Sequence, residues 1–259
     1  MTAGILAGKT ALIFGVANRR SIAWGIAQAL AGAGATLGFT YQGERIEAGV
    51  RELAQTVSSP LVTPCDVTSD ADLDRVFAEA DKEFDGLDIL IHAVAFAPRE
   101  ELEGRFVDTK RASFALALDI SAYSLTAMVK RAEPLMEKRG GGSVVTLTYL
   151  GGERAVPNYN VMGVAKAALD ASVRYLAMDL GQKAIRVNAI SAGPVRTVSG
   201  RSISGFTVME EHYEKRSPMR RNIDVSEVGQ TALFLASPMA TGITGEIIHV
   251  DAGYHAIGF

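Results

Sequence analysis

The segment Tyr149-Leu-Gly-Gly-Glu-Arg-Ala-Val-Pro-Asn-Tyr159-Asn-Val-Met-Gly-Val-Ala-Lys166 brings two phenols and one ammonium close together in the chain. A phenol can give a proton to an oxygen that turns negative, and an ammonium can hold sugar hydroxyls or steady an anion. Tyr159 and Lys166 are seven residues apart. At about 3.6 residues per turn that is close to two helical turns, so on a helix both leave one face, roughly 10 Å apart along the axis. Both side chains are long, and a nucleotide ribose fits between them. An acid beside a cofactor-binding cation is what a nicotinamide-dependent reductase needs.

Such a group needs strand ends and helix starts to hold it. Short apolar runs at 10–15, 36–41, 61–65, 87–92, 143–149, 185–191 and 246–251 alternate with helical periodicity at 22–33, 70–84, 112–138, 159–180 and 225–236. Strands near-continuous in Val, Ile and Leu are covered on both faces, which implies a parallel sheet between helices. The alternation predicts an α/β fold, a single-domain Rossmann-like doubly wound parallel sheet of about seven strands with ligands at the carboxyl ends. No linker or repeat divides residues 1–259, which read as one dinucleotide-binding catalytic domain. One Gly/Ser-rich insertion, residues 193–213, breaks the rhythm and reads as a substrate-covering lid.

After the first strand comes Gly15-Val-Ala-Asn-Arg-Arg-Ser21-Ile22-Ala-Trp-Gly25. The Gly-x-Gly-x-x-Gly fingerprint is missing, but its physical requirements are met. Gly15 permits a tight turn, Ser21 can cap the next helix, and Gly25 can let that helix approach the sheet. The helix start then presents free amides to a pyrophosphate; the plainer reading is an ordinary strand-to-helix turn. Asp66 could accept from an adenine amino group with the Val67 backbone beside it, or cap a helix that Thr68 and Ser69 could cap equally well. His92 reads as a packed or hydrogen-bonded residue rather than a catalyst. Gln42 stands where a ribose-binding acid is expected. It can bond ribose hydroxyls and offers a 2′-phosphate no attraction, which favours NADH/NAD over NADPH. Arg45, Arg19 or Arg20 could reverse that preference by folding inward.

The composition excludes several classes. A net charge of −3 argues against nucleic acid. Cys65, the single cysteine, cannot form an internal disulfide and reads as a small buried hydrophobe. There is no basic leader with an apolar core and no run of about 18 consecutive apolar residues, so no membrane partner is expected. No metal site is read, and the expected location is the cytoplasm.

Together these residues resemble the short-chain dehydrogenase/reductase superfamily, and within it the divergent branch of bacterial enoyl-acyl-carrier-protein reductases. The usual superfamily signature is a serine followed by Tyr-x-x-x-Lys; here Met162 fills the tyrosine slot and Tyr149 the serine slot. The branch instead has Tyr-x6-Lys, matched by Tyr159 and Lys166, and a further tyrosine matched by Tyr149. The resemblance runs nearly end to end. It implies cofactor contacts at Gly15, Ser21, Ile22, Gln42, Asp66, Val67, Val94 and Lys166. At the nicotinamide end it implies Val195, Arg196, Thr197, Val198 and Ser199. Ala93 and Ala95 are departures, the first costing one adenine contact and the second altering the substrate wall.

The implied activity is NADH-dependent reduction of the carbon–carbon double bond of trans-2-enoyl-acyl-carrier-protein thioesters, the last step of type II fatty acid elongation. Tyr159 would meet the enolate oxygen and Lys166 the nicotinamide ribose, while Tyr149 or relayed water protonates the α-carbon. Phe96, Ala97, Leu102, Met162, Pro194, Val195, Ile203 and Phe206 could line an acyl slot. The partner would be an acidic acyl carrier protein, guided by Arg196, Arg201, Lys215, Arg216, Arg220 and Arg221. A homotetramer is implied, with residues 254–259 suited to a subunit contact. Two other readings are a carbonyl or hydroxyl oxidoreductase, which Met162 counts against, and a nicotinamide sensor, which needs no acid.

Overall fold

The computed structural model describes residues 4–197 and 205–258. Among them run seven strands, β1 (Thr10–Phe14), β2 (Thr36–Tyr41), β3 (Leu61–Pro64), β4 (Ile89–His92), β5 (Gly142–Thr148), β6 (Ile185–Ala192) and β7 (Ile247–Val250). All pair in parallel, in the order β3-β2-β1-β4-β5-β6-β7. The strand order reverses between β1 and β4, and the crevice there is where such folds bind ligands. Every apolar run became a strand, with ends moved by at most two residues.

The helices are α1 (Ile22–Gly32), α2 (Glu44–Thr56), α3 (Asp70–Phe84), α4 (Arg111–Leu118), α5 (Ser124–Lys138), α6 (Asn160–Leu180), α7 (Phe206–Arg216) and α8 (Val225–Ala236). Strand β1 shows why two helical layers are needed. Ala11 and Ile13 face one core with residues of α1, α2 and α8, while Leu12 and Phe14 face another with α3, α5 and α6. A period of two sends alternate side chains to opposite faces, and both are dry. Helix starts follow side-chain chemistry. Ser69 caps α3, and Asp224 with Glu227 forms a capping box on α8.

Four local features depart from the sequence reading. Helix α2 was not foreseen, because only Val50, Leu53 and Ala54 form its buried stripe. The helix expected at 112–138 is split by a π-turn, Asp119–Tyr123, between α4 and α5. There Ser121 bonds both backbone groups of Phe96, and Ser124 bonds Ile120 O and His92. π-bulges often sit at functional sites. Gly25 does not bring α1 to the sheet; a methyl there would strike Val225 of α8, and one on Gly229 would strike the Gly25 carbonyl. The predicted lid contains α7.

By length and apolarity Arg111–Lys138 is the one described stretch that could cross a membrane, with a mean hydropathy of 1.4 over 18 residues. Its inner face packs on the sheet through Leu125, Met128, Val129 and Met136. That is the pattern of a core helix.

At the amino end of the sheet Asp88 is buried and bonds Lys9 Nζ (2.8 Å), the Thr10 amide (3.0 Å) and Arg139 Nε (3.1 Å). Burial alone would raise its pKa, but these donors outweigh it and hold the carboxyl below its ordinary range. Asp88→Ala is expected to cost about 2–3 kcal/mol in urea unfolding at pH 7. A depressed folded pKa means that stability is present above the ordinary carboxylate pKa and is lost as pH falls through the folded value. The deficit should therefore shrink in acid; equal midpoints at pH 7 would contradict it.

Candidate active site

The site forms where β1, β4, β5 and β6 end. Gly15 follows β1 with φ of +99°, and an added methyl would run into the carbonyl of Ala93, just past β4. Only glycine allows this left-handed, close approach, which brings two strand ends together below the start of α1. Ser21 caps α1, its Oγ accepting from the Trp24 amide, and Ile22 is the first helical residue. A helix start over a glycine turn fits a pyrophosphate.

Asp66 ends β3 without capping α3, since Ser69 does that. Its Oδ1 accepts from the Thr68 amide (2.9 Å) and hydroxyl (2.8 Å), which hold the carboxyl below its usual range. Gln42 lies beside it and favours the same anion. Gln42 and Asp66 therefore share the rim expected for the adenosine half. Val67 and Val94 pack on the adjoining core.

The catalytic candidates gather between the end of β5 and the first turns of α6. Tyr149 follows β5, and Tyr159 is the residue before α6 rather than part of it. Asn158 and Asn160 flank it with φ of +60° and +33°, a left-handed backbone that asparagine tolerates. The two phenol rings meet edge to face, with centroids 5.0 Å apart. Tyr159 is 8% exposed and joins Leu102, Met162, Ala165, Ala97, Tyr149 and Val156 in one apolar cluster. Burial, then Tyr149 and Asp170, pushes its pKa above that of an ordinary phenol, so it stays a neutral donor.

Lys166 lies two turns on, buried, with Nζ donating to Leu147 O at 2.7 Å. Burial lowers its pKa to about 8, against the pull of Asp170. An ammonium has three donors. His92 is fully buried between Thr146 Oγ1 (2.7 Å) and Ser124 Oγ (2.9 Å). Burial and then Lys166 press its pKa to about 3, so it is a neutral packing residue, as expected.

Comparison with known proteins places this geometry. A family model described as enoyl-(acyl carrier protein) reductase matches residues 15–255. The chain belongs to the enoyl-acyl-carrier-protein reductase family. It is 56% identical to an enoyl-acyl-carrier-protein reductase (NADH) of Bacillus cereus over 98% of this chain and 99% of that one. A Bacillus cereus crystal structure with NADP+ and indole naphthyridinone superposes with a TM-score of 0.96 at 55% identity, covering 98% and 99% of the two chains. One from Anaplasma phagocytophilum in complex with NAD gives 0.95 at 47%, covering 99% and 97%.

The remaining expected residues are spread over several elements. Val195 and Thr197 follow β6 on one short loop, bonded to each other through Thr197 N and Val195 O. Arg196 points its guanidinium instead at buried Glu210 of α7 (2.9 and 3.1 Å). Val198, Ser199, Arg201 and Ile203 lie outside the described residues. Three residues of the basic cluster are paired: Arg196 with Glu210, Lys215 with Glu211, Arg221 with Glu227. Of the acyl-slot candidates, Ala97, Leu102 and Met162 join Tyr159; Phe206 and Pro194 are buried, and Phe96 is about half exposed. Cys65 is buried, and burial lifts its thiol to about 12.

Sequence reasoning missed three participants. Asp170 sits one turn beyond Lys166, buried beside Thr148. Burial raises the Asp170 carboxyl above its ordinary range, with Thr148 pulling the other way, and neither Asp170 Oδ1 nor Thr148 Oγ1 completes a hydrogen bond. The i,i+4 spacing from Lys166 was the available signal. Tyr213 of α7 bonds Tyr149. Gly151 seats the Tyr159 ring, for a methyl there would collide with its Cδ1 and Cε1. Gly151→Ala is expected to lower kcat by about 10–100-fold, the cost of misplacing a reacting group by about 1 Å. NADH affinity, read by fluorescence titration, should hold; unchanged kcat would refute this seating.

Proposed function

We propose that this chain reduces the carbon–carbon double bond of trans-2-enoyl thioesters carried on acyl carrier protein, using NADH, as the last step of type II fatty acid elongation. The observation that carries this reading is Met162 in the usual acid's slot, packed against a buried Tyr159 that enters from the helix cap. Gly15, Ser21 and Ile22 would hold the pyrophosphate. Gln42, Asp66 and Val67 would hold the adenosine, and Val94, Lys166, Val195 and Thr197 the nicotinamide half, to which Val198 and Ser199 are also assigned. A nicotinamide held there would supply a hydride to the substrate β-carbon.

Negative charge then gathers on the thioester oxygen. Tyr159, kept protonated by burial, is the donor aimed at that oxygen. Lys166 would hold the ribose and add positive charge near the enolate. The α-carbon takes a proton from Tyr149 or from water. Ala97, Leu102 and Met162 exclude solvent around the acyl chain.

α7, which falls largely within the segment 193–213, serves as the lid. The protein works in the cytoplasm as a homotetramer; exposed Tyr123 in the π-turn before α5 and exposed Tyr175 and Met178 on α6 support subunit contacts there. The deciding assay follows NADH oxidation with crotonyl thioester and with acetoacetyl thioester. Turnover of the first alone is expected. Turnover of the second alone would make it a carbonyl reductase, and turnover of neither a sensor.

A further inference from the structure

Tyr149 is held by the lid helix. Its hydroxyl lies 3.2 Å from the hydroxyl of Tyr213 and 3.3 Å from Met209 Sδ, both on α7 and one turn apart. A thioether has no proton to give, so Tyr149 donates to Met209 and accepts from Tyr213. Tyr213 is 4% exposed, and its ring stacks on Tyr254 with centroids 3.7 Å apart and planes 18° apart. Stacking and burial leave its hydroxyl one direction, toward Tyr149. The three groups edge a cavity of about 480 Å³ that also touches Leu150, Pro157 and Val208.

We propose that Tyr213 is a positioning residue of the reductase, fixing the Tyr149 hydroxyl so that its proton points away from α7's phenol and is free to pass to the substrate α-carbon. The inference rests on the reductase reading and chooses Tyr149 over water as that proton's source. In the step, the Tyr149 O–H bond breaks and the enolate electron pair forms the new C–H bond. Tyr149 is left as a phenolate, and bulk water restores its proton. No oxidant or reductant takes part.

Two features make this arrangement suited to the transfer. Sulfur is a weak acceptor, so turning the proton from Met209 to a substrate carbon gives up little. The Tyr213 hydroxyl stays in place to bond the phenolate, and bonds to charged acceptors are the stronger kind. Burial raises the Tyr149 pKa most, and the Tyr213 bond lowers it; Tyr254 and Asp251 from the C-terminal segment raise it. Tyr159 meets Tyr149 from its own side, and His212 and Arg154 edge the same cavity.

The test is Tyr213→Phe, which keeps the ring and its stack, in parental and Tyr149→Phe backgrounds. All variants are assayed with NADH and crotonyl thioester at a temperature where circular dichroism shows each folded. In the parent, kcat is expected to fall about tenfold, the size of one charge-assisted hydrogen bond. The KM for NADH should hold, and the alkaline limb of kcat should move to higher pH. In the Tyr149→Phe background the same change should do nothing further. An equal fall in both backgrounds, or an unchanged kcat and pH profile in the parent, overturns the proposal. Full kcat in Tyr149→Phe also overturns it, while leaving the reductase reading intact; a parent protein inactive on the enoyl thioester defeats that reading itself.

Discussion

Tyr159→Phe should reduce kcat on an enoyl thioester by about 10²–10³-fold, the range found when one preorganised oxyanion donor is removed. The ring would remain packed among Leu102, Met162 and Ala165, so the fold is spared. Because phenol and phenyl are nearly equal in size, NADH binding should not change. The effect is large because the hydroxyl is buried, where no water can take its place. A pH profile adds a second check. Burial holds the Tyr159 pKa above the ordinary phenol value, so no loss of activity near pH 9–10 should trace to its ionisation. Wild-type kcat in the phenylalanine variant would remove Tyr159 from the mechanism.

Lys166→Met should weaken NADH binding and lower kcat/KM by about 10²-fold, since the buried cation proposed to bond the ribose loses both charge and donors. The direction with pH follows from its pKa of about 8. As pH rises through 8 the ammonium is lost, and kcat/KM of the parent should decline while that of the methionine variant stays flat. Stability runs the other way. The folded pKa lies below the unfolded value of 10.5, so burying the charge costs most below pH 8 and the cost fades as pH rises toward 10.5. That difference corresponds to about 3 kcal/mol. Lys166→Met should therefore melt above the parent at pH 7 and approach it near pH 10.5. A variant less stable at pH 7 would show that Leu147 O and Asp170 already compensate the charge.

The two variants separate chemistry from binding. On the proposed reading, one removes a donor needed when charge develops, so kcat falls alone; the other removes a group that would touch the cofactor throughout, so affinity falls too. Tyr213→Phe differs from both in acting through Tyr149 alone.

The sequence by itself determined the sheet and the helical layers, and it singled out Tyr149, Tyr159 and Lys166, which the fold brings together. Apolar runs buried on both faces admit only a covered parallel sheet, and the offset of Tyr159 from Lys166 survives because Tyr159 sits at the helix cap. Local chemistry also fixed the Ser21 cap and the neutral role of His92. Tertiary structure decided what depends on parts distant in the chain. Tyr213 reaches Tyr149 across a separation of 64 residues, and Gly25 meets α8 rather than the sheet. Arg196 turns to Glu210 because a buried carboxylate needs a partner. Gly151 matters only once the Tyr159 ring lies on it. Periodicity reports which face of a segment is apolar; it carries no information about which other segment will cover that face, and the positioning of this site is made of such contacts.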